Sequence, residues 1–343
     1  MTRTRNGLQK AKWIIALMTV VVLVLLLASQ FYFRLVRNEE KNQQYKLLST
    51  IAAFKVNEIS KWLSERKAEG VFFSSSPSFV AMMDELNTHP SSTATVEAMK
   101  SWLIPVKENH LYKRVSVYDP SGILLFEIGR KFTSDQGSEH TKNLMSHDAI
   151  QFSQIKKEPG NNDLILDLIV PVHQKTRLLG WLVFSIDPAE HLFPLIESYP
   201  VRRLSAINFL AQYSGDSVLT FPFEATPATQ GDPSRYLAGN DTLAKTVPMS
   251  GTFTRIEIRD SRGVNVLADV RVIPGTRWNL ISRIDMDEVL QPLRKRAFNI
   301  FIYMLTFLSL IGISILLIWK NQQLQQFRSQ LELEQKATRV QEK

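Results

Sequence analysis

The 343-residue sequence contains no cysteine. That excludes disulfide bonds, thiolate nucleophiles and cysteine-based zinc sites. Histidine is scarce, with six in the chain and none at metal-ligand spacing; His140 and His147 are not a ligand pair. Ser153, Asp167 and His173 lack the Gly-x-Ser-x-Gly elbow that would make them a catalytic triad. Glycine-rich phosphate loops are missing too. So is any basic stripe interleaved with aromatics, although the formal net charge is +8. Between positions 35 and 296 there are 31 Lys/Arg against 30 Asp/Glu, so the basic excess sits in the flanks. There it serves membrane topology and lipid headgroups rather than nucleic acid. No catalytic residues, no metal, no cofactor and no nucleic-acid partner are expected.

What the sequence does have is two uncharged apolar runs, Trp13 to Phe33 and Phe298 to Trp319, of 21 and 22 residues. At about 1.5 Å per residue, each is long enough to cross the roughly 30 Å hydrocarbon core. Trp13, Phe31, Tyr32, Phe33 and Trp319 supply interfacial aromatics at their ends. Ala28-Ser29-Gln30 resembles a cleavage site, but the apolar run continues past it, so an uncleaved anchor is expected. Arg3, Arg5, Lys10 and Lys12, with no acid in the first twelve positions, keep the N-terminus cytoplasmic. Arg294, Lys295 and Arg296 then fall on the outer side, against that trend. The expected layout is a cytoplasmic 1–12, a membrane helix 13–33, an extracytoplasmic 34–296, a membrane helix 298–319 and a cytoplasmic helical tail 320–343. In the tail, Leu324, Phe327, Leu331 and Thr338 fall near heptad core positions, which suits either a short parallel coiled coil or a solvated helix.

Past the first run, Leu48, Ile51, Ala52, Val56, Ile59, Trp62 and Leu63 recur at helical spacing, predicting a long helix over 34–70 that ends at Gly70. Residues 78–103 also read as helical, broken around Thr88 to Ser91. Strands are expected over 112–118, 123–128, 164–172 and 180–186, the first two joined by the turn Asp119-Pro120-Ser121-Gly122. These boundaries divide 34–296 into the long helix, a membrane-distal module over about 71–199 and a membrane-proximal module over about 200–296.

An internal repeat supports the division. Ile186-Asp187-x-x-Glu190-x-Leu192-x-Pro194-Leu195 matches Ile284-Asp285-x-x-Glu288-x-Leu290-x-Pro292-Leu293, and each copy follows a strand with a tryptophan, Trp181 or Trp278. Asp-x-x-Glu here reads as a capping box that starts a helix as the chain leaves a sheet. Upstream of the copies lie the turns Asp119–Gly122 and Asp260–Gly263, taken as equivalent. On that alignment the first module is much the longer. The surplus, 130–163, is expected to cover a pocket, and 221–251 reads as an irregular loop.

Strand alternation over 112–118 places Tyr112, Arg114, Ser116 and Tyr118 on one face, with Lys113, Val115 and Val117 on the other. Two phenols, a guanidinium and a hydroxyl suit a carboxylate- or phosphate-bearing ligand, because arginine pairs bidentately with such anions. The competing reading is a solvated face of an edge strand. Asp167 interrupts an apolar strand and either pairs inside or faces the same pocket. His173, at that strand's end, completes the candidate ligand-binding set.

The order of these segments resembles the double Cache (tandem PAS-like) sensor region of bacterial transmembrane receptors. The carrying residues are the helix Val56-Asn57-Glu58-Ile59-Ser60-Lys61-Trp62-Leu63-Ser64-Glu65-Arg66, the hairpin Val115 to Gly122 and the strand pair Leu168 to Val172 with Gly180 to Phe184. Asp260-Ser261-Arg262-Gly263-Val264 and Ile273-Pro274-Gly275-Thr276-Arg277-Trp278 continue it, over about residues 34–320. The resemblance implies an α+β fold: two tandem PAS-like antiparallel-sheet modules on a long N-terminal helix, flanked by two transmembrane helices. It implies a small-molecule ligand in the distal module and a signal passed through the second membrane helix. Outputs in such receptors are histidine kinases, diguanylate cyclases or chemotaxis-type domains, none of which lies in these 343 residues. The amino-acid-sensing pattern Arg-x-Trp-Tyr is not found between Trp102 and Arg114. The expectation is a homodimeric, non-enzymatic receptor in a bacterial inner membrane with a periplasmic sensor region. A membrane-anchored binding or adhesion protein and a membrane-tethered periplasmic enzyme stand as alternatives.

Overall fold

One helix, α1 (Thr2–Ser75), opens the chain. The computed structural model describes residues 2–109, 112–129, 149–158, 163–198, 205–214, 217–221, 254–260 and 262–341. The chain divides into two compact units, one of Met1–Lys41 with Val289–Lys343 and the other Asn42–Glu288.

The first unit is apolar helix. Among the described residues, α1 and the last helix, Met286–Gln341, are the two long and apolar enough to cross a membrane. Leu23, Leu27, Phe31, Phe301, Leu310 and Leu317 are all exposed, a surface that a bilayer removes from water. The hydroxyls of Thr306, Ser309 and Ser314 donate to the carbonyls of Ile302, Leu305 and Leu310 at 2.8–2.9 Å. These three hydroxyls are thus satisfied within the helix, as a hydrocarbon setting favours.

The second unit continues α1 and adds α2 (Pro77–Thr88) and α3 (Thr93–Asn109). A first sheet follows, of β1 (Arg114–Tyr118), β2 (Leu124–Gly129), β3 (Gln151–Phe152), β4 (Lys156–Lys157), β5 (Leu164–Gln174) and β6 (Arg177–Ile186). Helix α4 (Pro188–Glu197) leads to a second sheet of β7 (Ile207–Ser214), β8 (Ser217–Phe221), β9 (Thr254–Arg259), β10 (Asn265–Val272) and β11 (Trp278–Asp285), from which α5 (Met286–Gln341) leaves. Both sheets are antiparallel. Their strand orders are β2-β1-β6-β5-β3, with β4 also on β5, and β8-β7-β11-β10-β9. With the two-residue β3 and β4, both on β5, counted as one broken edge strand, each module has the same order, 2-1-5-4-3. The near-continuous apolar runs of β5 and β6 mark strands buried on both faces. One face packs Leu166, Leu168, Val170, Leu182 and Phe184 against Ile59, Leu63, Phe79, Met83, Met99 and Leu103 of the helices.

Three expectations change. Helix α1 does not end at Gly70 but runs to Ser75. A Cβ at Gly70 would meet Val170 Cγ2 at 2.7 Å, so glycine is there for close helix–sheet approach rather than termination. The two Asp-x-x-Gly turns share one hydrogen-bond pattern. Asp119 Oδ1 accepts from Ser121 N and Ile123 N, and Asp260 Oδ1 accepts from Arg262 N and Val264 N. Yet the first joins β1 to β2, and the second joins β9 to β10, the third and fourth strands of its module. They are not equivalent, and from first strand to last the two modules are of similar length, 114–186 and 207–285. The true partner of the β1–β2 hairpin is β7–β8, which sequence reading had left unassigned. The capping boxes also differ. Asp187 accepts from Ala189 N at 2.9 Å and starts α4, whereas Glu288 accepts from Ser205 N at 2.8 Å and ties the entry of the second module. Most of 130–163 and nearly all of 221–251 lie outside the described residues.

Asp260 carries more than a turn. Its Oδ2 accepts from Arg283 Nη1 at 2.7 Å and Arg262 Nε at 2.8 Å. Burial pushes the Asp260 carboxyl up, but the Arg262 hydrogen bond, the Val264 amide and the charges of Arg283 and Arg262 outweigh it and hold the group below the ordinary value of 3.8. A depressed folded-state value adds stability above the unfolded value, and that stability is lost as pH falls through the folded value. The chain is expected to weaken below about pH 4, and Asp260→Asn to flatten that loss. Urea midpoints across the acid range check this; an unchanged acid profile in D260N would remove Asp260 from the effect.

Candidate functional site

Within β1 the alternation is clean. Val115 and Val117 join the helix-side core, and Tyr118 clusters on the opposite face with Ile169, Trp181 and Val183. Register extends that face across three strands. Arg114 stands opposite Ser185, and Ser185 opposite Asp167. Ser116 faces Val183, which faces Ile169, and Tyr118 faces Trp181, which faces Pro171. Glu127 of β2 prolongs the Ser116 row. The result is a charged end, a mixed middle row of Glu127, Ser116, Val183 and Ile169, and an aromatic end.

The charged end is a chain of alternating sign. Arg114, 1% exposed, donates from Nη1 to Glu158 Oε1 at 2.9 Å and from Nη2 to Ser185 Oγ at 3.4 Å. Ser185 Oγ donates to Asp167 Oδ1 at 2.7 Å, and Lys156 Nζ lies 3.0 Å from Asp167 Oδ2. Lys113 Nζ sits 2.7 Å from Asp163 and 3.8 Å from Glu158. Buried charges of this kind are tolerated because each is paired and hydrogen-bonded. Burial pushes the Tyr118 hydroxyl up, as do the Asp167 and Glu127 charges, while Ser116 and Arg114 pull it back. Among the described residues, Ser116 Oγ and Glu127 Oε2 are buried with no partner of hydrogen-bond geometry, although the Tyr118 hydroxyl lies near enough to feel Ser116. Both open atoms can accept from a donor brought in by a ligand.

The structure thus brings together Arg114, Ser116, Tyr118 and Asp167. Tyr112 is not with them. Lys113 forms a bend ahead of β1, so the alternation breaks there. Tyr112 turns to the helix side, where its ring lies 4.8 Å from Phe184 and its hydroxyl donates to Glu69. Its own hydroxyl is pushed up by burial and by Glu69. His173 is also apart: it stands six residues along β5 from Asp167, at the hairpin end opposite Leu178, roughly 20 Å along the strand. Ser185, Glu158, Lys156, Glu127 and Trp181 lie on this face or bond to it, and sequence reading missed them. Ser185 shows the signal that exposed Asp167, a polar residue inside an apolar strand. Glu158 and Lys156 precede the strand and needed the register to be placed. Among the described residues, no group of three or more His, Asp or Glu is arranged to hold a metal ion.

No protein-family model matches the sequence, and no curated protein does either. Solved structures do. The extracellular domain of vpHK1S-Z8, a protein named as a histidine kinase, is 16% identical with a TM-score of 0.54, over 74% of this chain and 98% of that one. The ligand-binding domain of Mlp24 with asparagine is 13% identical with a TM-score of 0.51, over 74% and 99%. A domain of a Vibrio parahaemolyticus protein named as sensory box/GGDEF family is 17% identical with a TM-score of 0.51, over 73% and 99%. With two 2-1-5-4-3 antiparallel sheets borne on one long helix, and two helices able to cross a membrane, this chain has the tandem PAS-like, double Cache fold of receptor sensor domains.

Proposed function

We propose that this chain is a two-pass receptor of a bacterial inner membrane that senses a small ligand on the distal face of Arg114, Ser116, Tyr118 and Asp167. The observation that carries the reading is a largely buried charged row beside Ser116 Oγ and Glu127 Oε2, two buried oxygens with no partner of hydrogen-bond geometry among the described residues, on the sheet face turned away from the helices. An unmade buried hydrogen bond costs about 1–3 kcal/mol. A ligand that donates to these oxygens recovers that cost.

The geometry refines the ligand class. An anion bound to Arg114 would compete with Glu158, already 2.9 Å away. Ser116 Oγ, Glu127 Oε2 and the rings of Tyr118 and Trp181 favour an amino, amide or other cationic donor group instead. The similarity to the Mlp24 domain solved with asparagine is compatible with a zwitterion. The sensor region lies in the periplasm, both termini are cytoplasmic, and the signal leaves through α5 to an output carried outside these 343 residues. The receptor acts as a homodimer; exposed Leu47 and Phe54 on α1 offer an apolar pairing surface.

Thermal unfolding of the full chain in detergent, against amines, amino acids, organic acids and nucleobases, tests the reading. A ligand at a hundred times its Kd stabilises by about 2.7 kcal/mol. A panel with no stabilising member at millimolar concentration would sink the sensing role. Ser116→Ala with Glu127→Gln is expected to weaken any hit by about tenfold or more, one to two buried hydrogen bonds; equal binding would move the site elsewhere.

A further inference from the structure

A buried glutamine of the second sheet bonds directly to the segment that flanks the distal face. Gln212 lies on β7, is fully buried, and pairs in register with Trp278 at the start of β11. Its carboxamide grips the distal module like a strand partner. Oε1 accepts from Ile155 N at 2.8 Å, and Nε2 donates to Ile155 O at 3.0 Å. The same Oε1 accepts from Trp278 Nε1 at 3.0 Å. Next to it, Gln154 Nε2 donates to the Tyr213 carbonyl at 3.2 Å.

Ile155 sits between the two residues that hold Asp167. On one side, Ser153 N donates to the Asp167 carbonyl at 2.8 Å and Ser153 Oγ accepts from Asp167 N at 2.9 Å. On the other, Lys156 Nζ meets the Asp167 carboxylate at 3.0 Å. The strands flanking this segment, β3 and β4, have only two residues each, so Asp167 and Gln212 are prominent among its anchors. Its side chain is sealed in the core at 1% exposure.

The geometry points to Gln212 as the positioning residue that couples the distal face to the second sheet. A ligand that draws on Asp167 or Lys156 shifts Ser153–Lys156, and Gln212, with Trp278 bonded to it, must follow or give up its two buried hydrogen bonds to Ile155. Trp278 opens β11, which runs without a break to Asp285 and into α5. A buried amide that bonds both backbone groups of one residue has two discrete outcomes, made or broken, which is what a coupling element requires. This inference rests on the distal face being the ligand site, but its test needs no ligand.

Hydrogen exchange of the full chain in detergent, read by mass spectrometry, provides that test, with Asp167→Asn as the perturbation. D167N is expected to speed exchange about tenfold in 150–157 and also in β7 and β11, the effect of losing one charge-assisted contact. In a Gln212→Ala background, β7 exchanges faster from the start and D167N adds nothing further there. If Q212A does not fold, Trp278→Phe, which removes one of the three bonds, is expected to leave a reduced D167N effect in β7. An effect of D167N confined to 150–157 overturns the coupling, and so do increments that simply add in the double variant. A ligand screen without hits alongside intact coupling would count against the sensing role alone.

Discussion

Gly180→Ala is expected to destabilise the second unit by roughly 3–5 kcal/mol, strain and overpacking together. Gly180 has φ +145°, a conformation that side chains rarely adopt. A Cβ there would stand 2.2 Å from the Tyr118 carbonyl oxygen and 2.8 Å from Met83 Cε. The methionine end can swing away, but the carbonyl cannot. It belongs to β1, held between β2 and β6 by ladders on both sides. The clash falls where the Tyr118–Trp181 row closes the candidate site, so binding should fail along with stability. Gly263 is the control: its φ is +75° with nothing within 4 Å of an added Cβ, and Gly263→Ala should cost only about 1–2 kcal/mol. Denaturant midpoints of the two variants decide. Equal shifts would mean that β1 and β6 do not approach as closely as described.

Arg114→Met is expected to cost about 3 kcal/mol, because it strands a buried carboxylate. Glu158 has a 6% exposed side chain, and its remaining cation, Lys113, is 3.8 Å away and shared with Asp163 and Asp187. The partner deletion, Glu158→Leu, should cost a similar amount, since it removes the 2.9 Å carboxylate partner of a guanidinium in a closed interior. The double variant should cost less than the two singles added, as replacing a whole buried pair by apolar groups is often close to neutral. The coupling from such a cycle is expected at about 2 kcal/mol. A value near zero would show the pair to be solvated. The same cycle bears on ligand class: if Glu158→Leu opens binding to organic acids, Arg114 is an anion site masked by Glu158.

Much of the chain was legible because the signals are local. Two apolar runs, the helical spacing of Leu48 through Leu63 and the apolar strands around Leu168 and Val183 report on neighbours in sequence. The repeat after Trp181 and Trp278 was legible for the same reason, each copy being a short stretch at the end of a fifth strand. Misreadings came where one local signal had two meanings. Asp-x-x-Gly builds the same turn wherever a tight hairpin is needed, so it does not say which hairpin of a module it closes. Gly70 looked like a stop because glycine weakens helices, whereas here a missing Cβ lets Val170 approach. Tyr112 was placed by extending an alternation that a bend at Lys113 interrupts.

The sequence by itself determined the class of this protein: paired membrane-length helices, a charge-balanced region between them, and a doubled strand-to-helix unit. Those follow from hydropathy and spacing, which act over a few residues. Tertiary structure alone decided the site. Arg114, Ser185 and Asp167 form one row only because β6 lies between β1 and β5, and Glu158 neutralises Arg114 from 44 residues away. Gln212 reaches Ile155 across 57 residues by the same rule. Such partners are chosen by sheet order and register, set by the packing of the whole unit, and no stretch of sequence carries them alone.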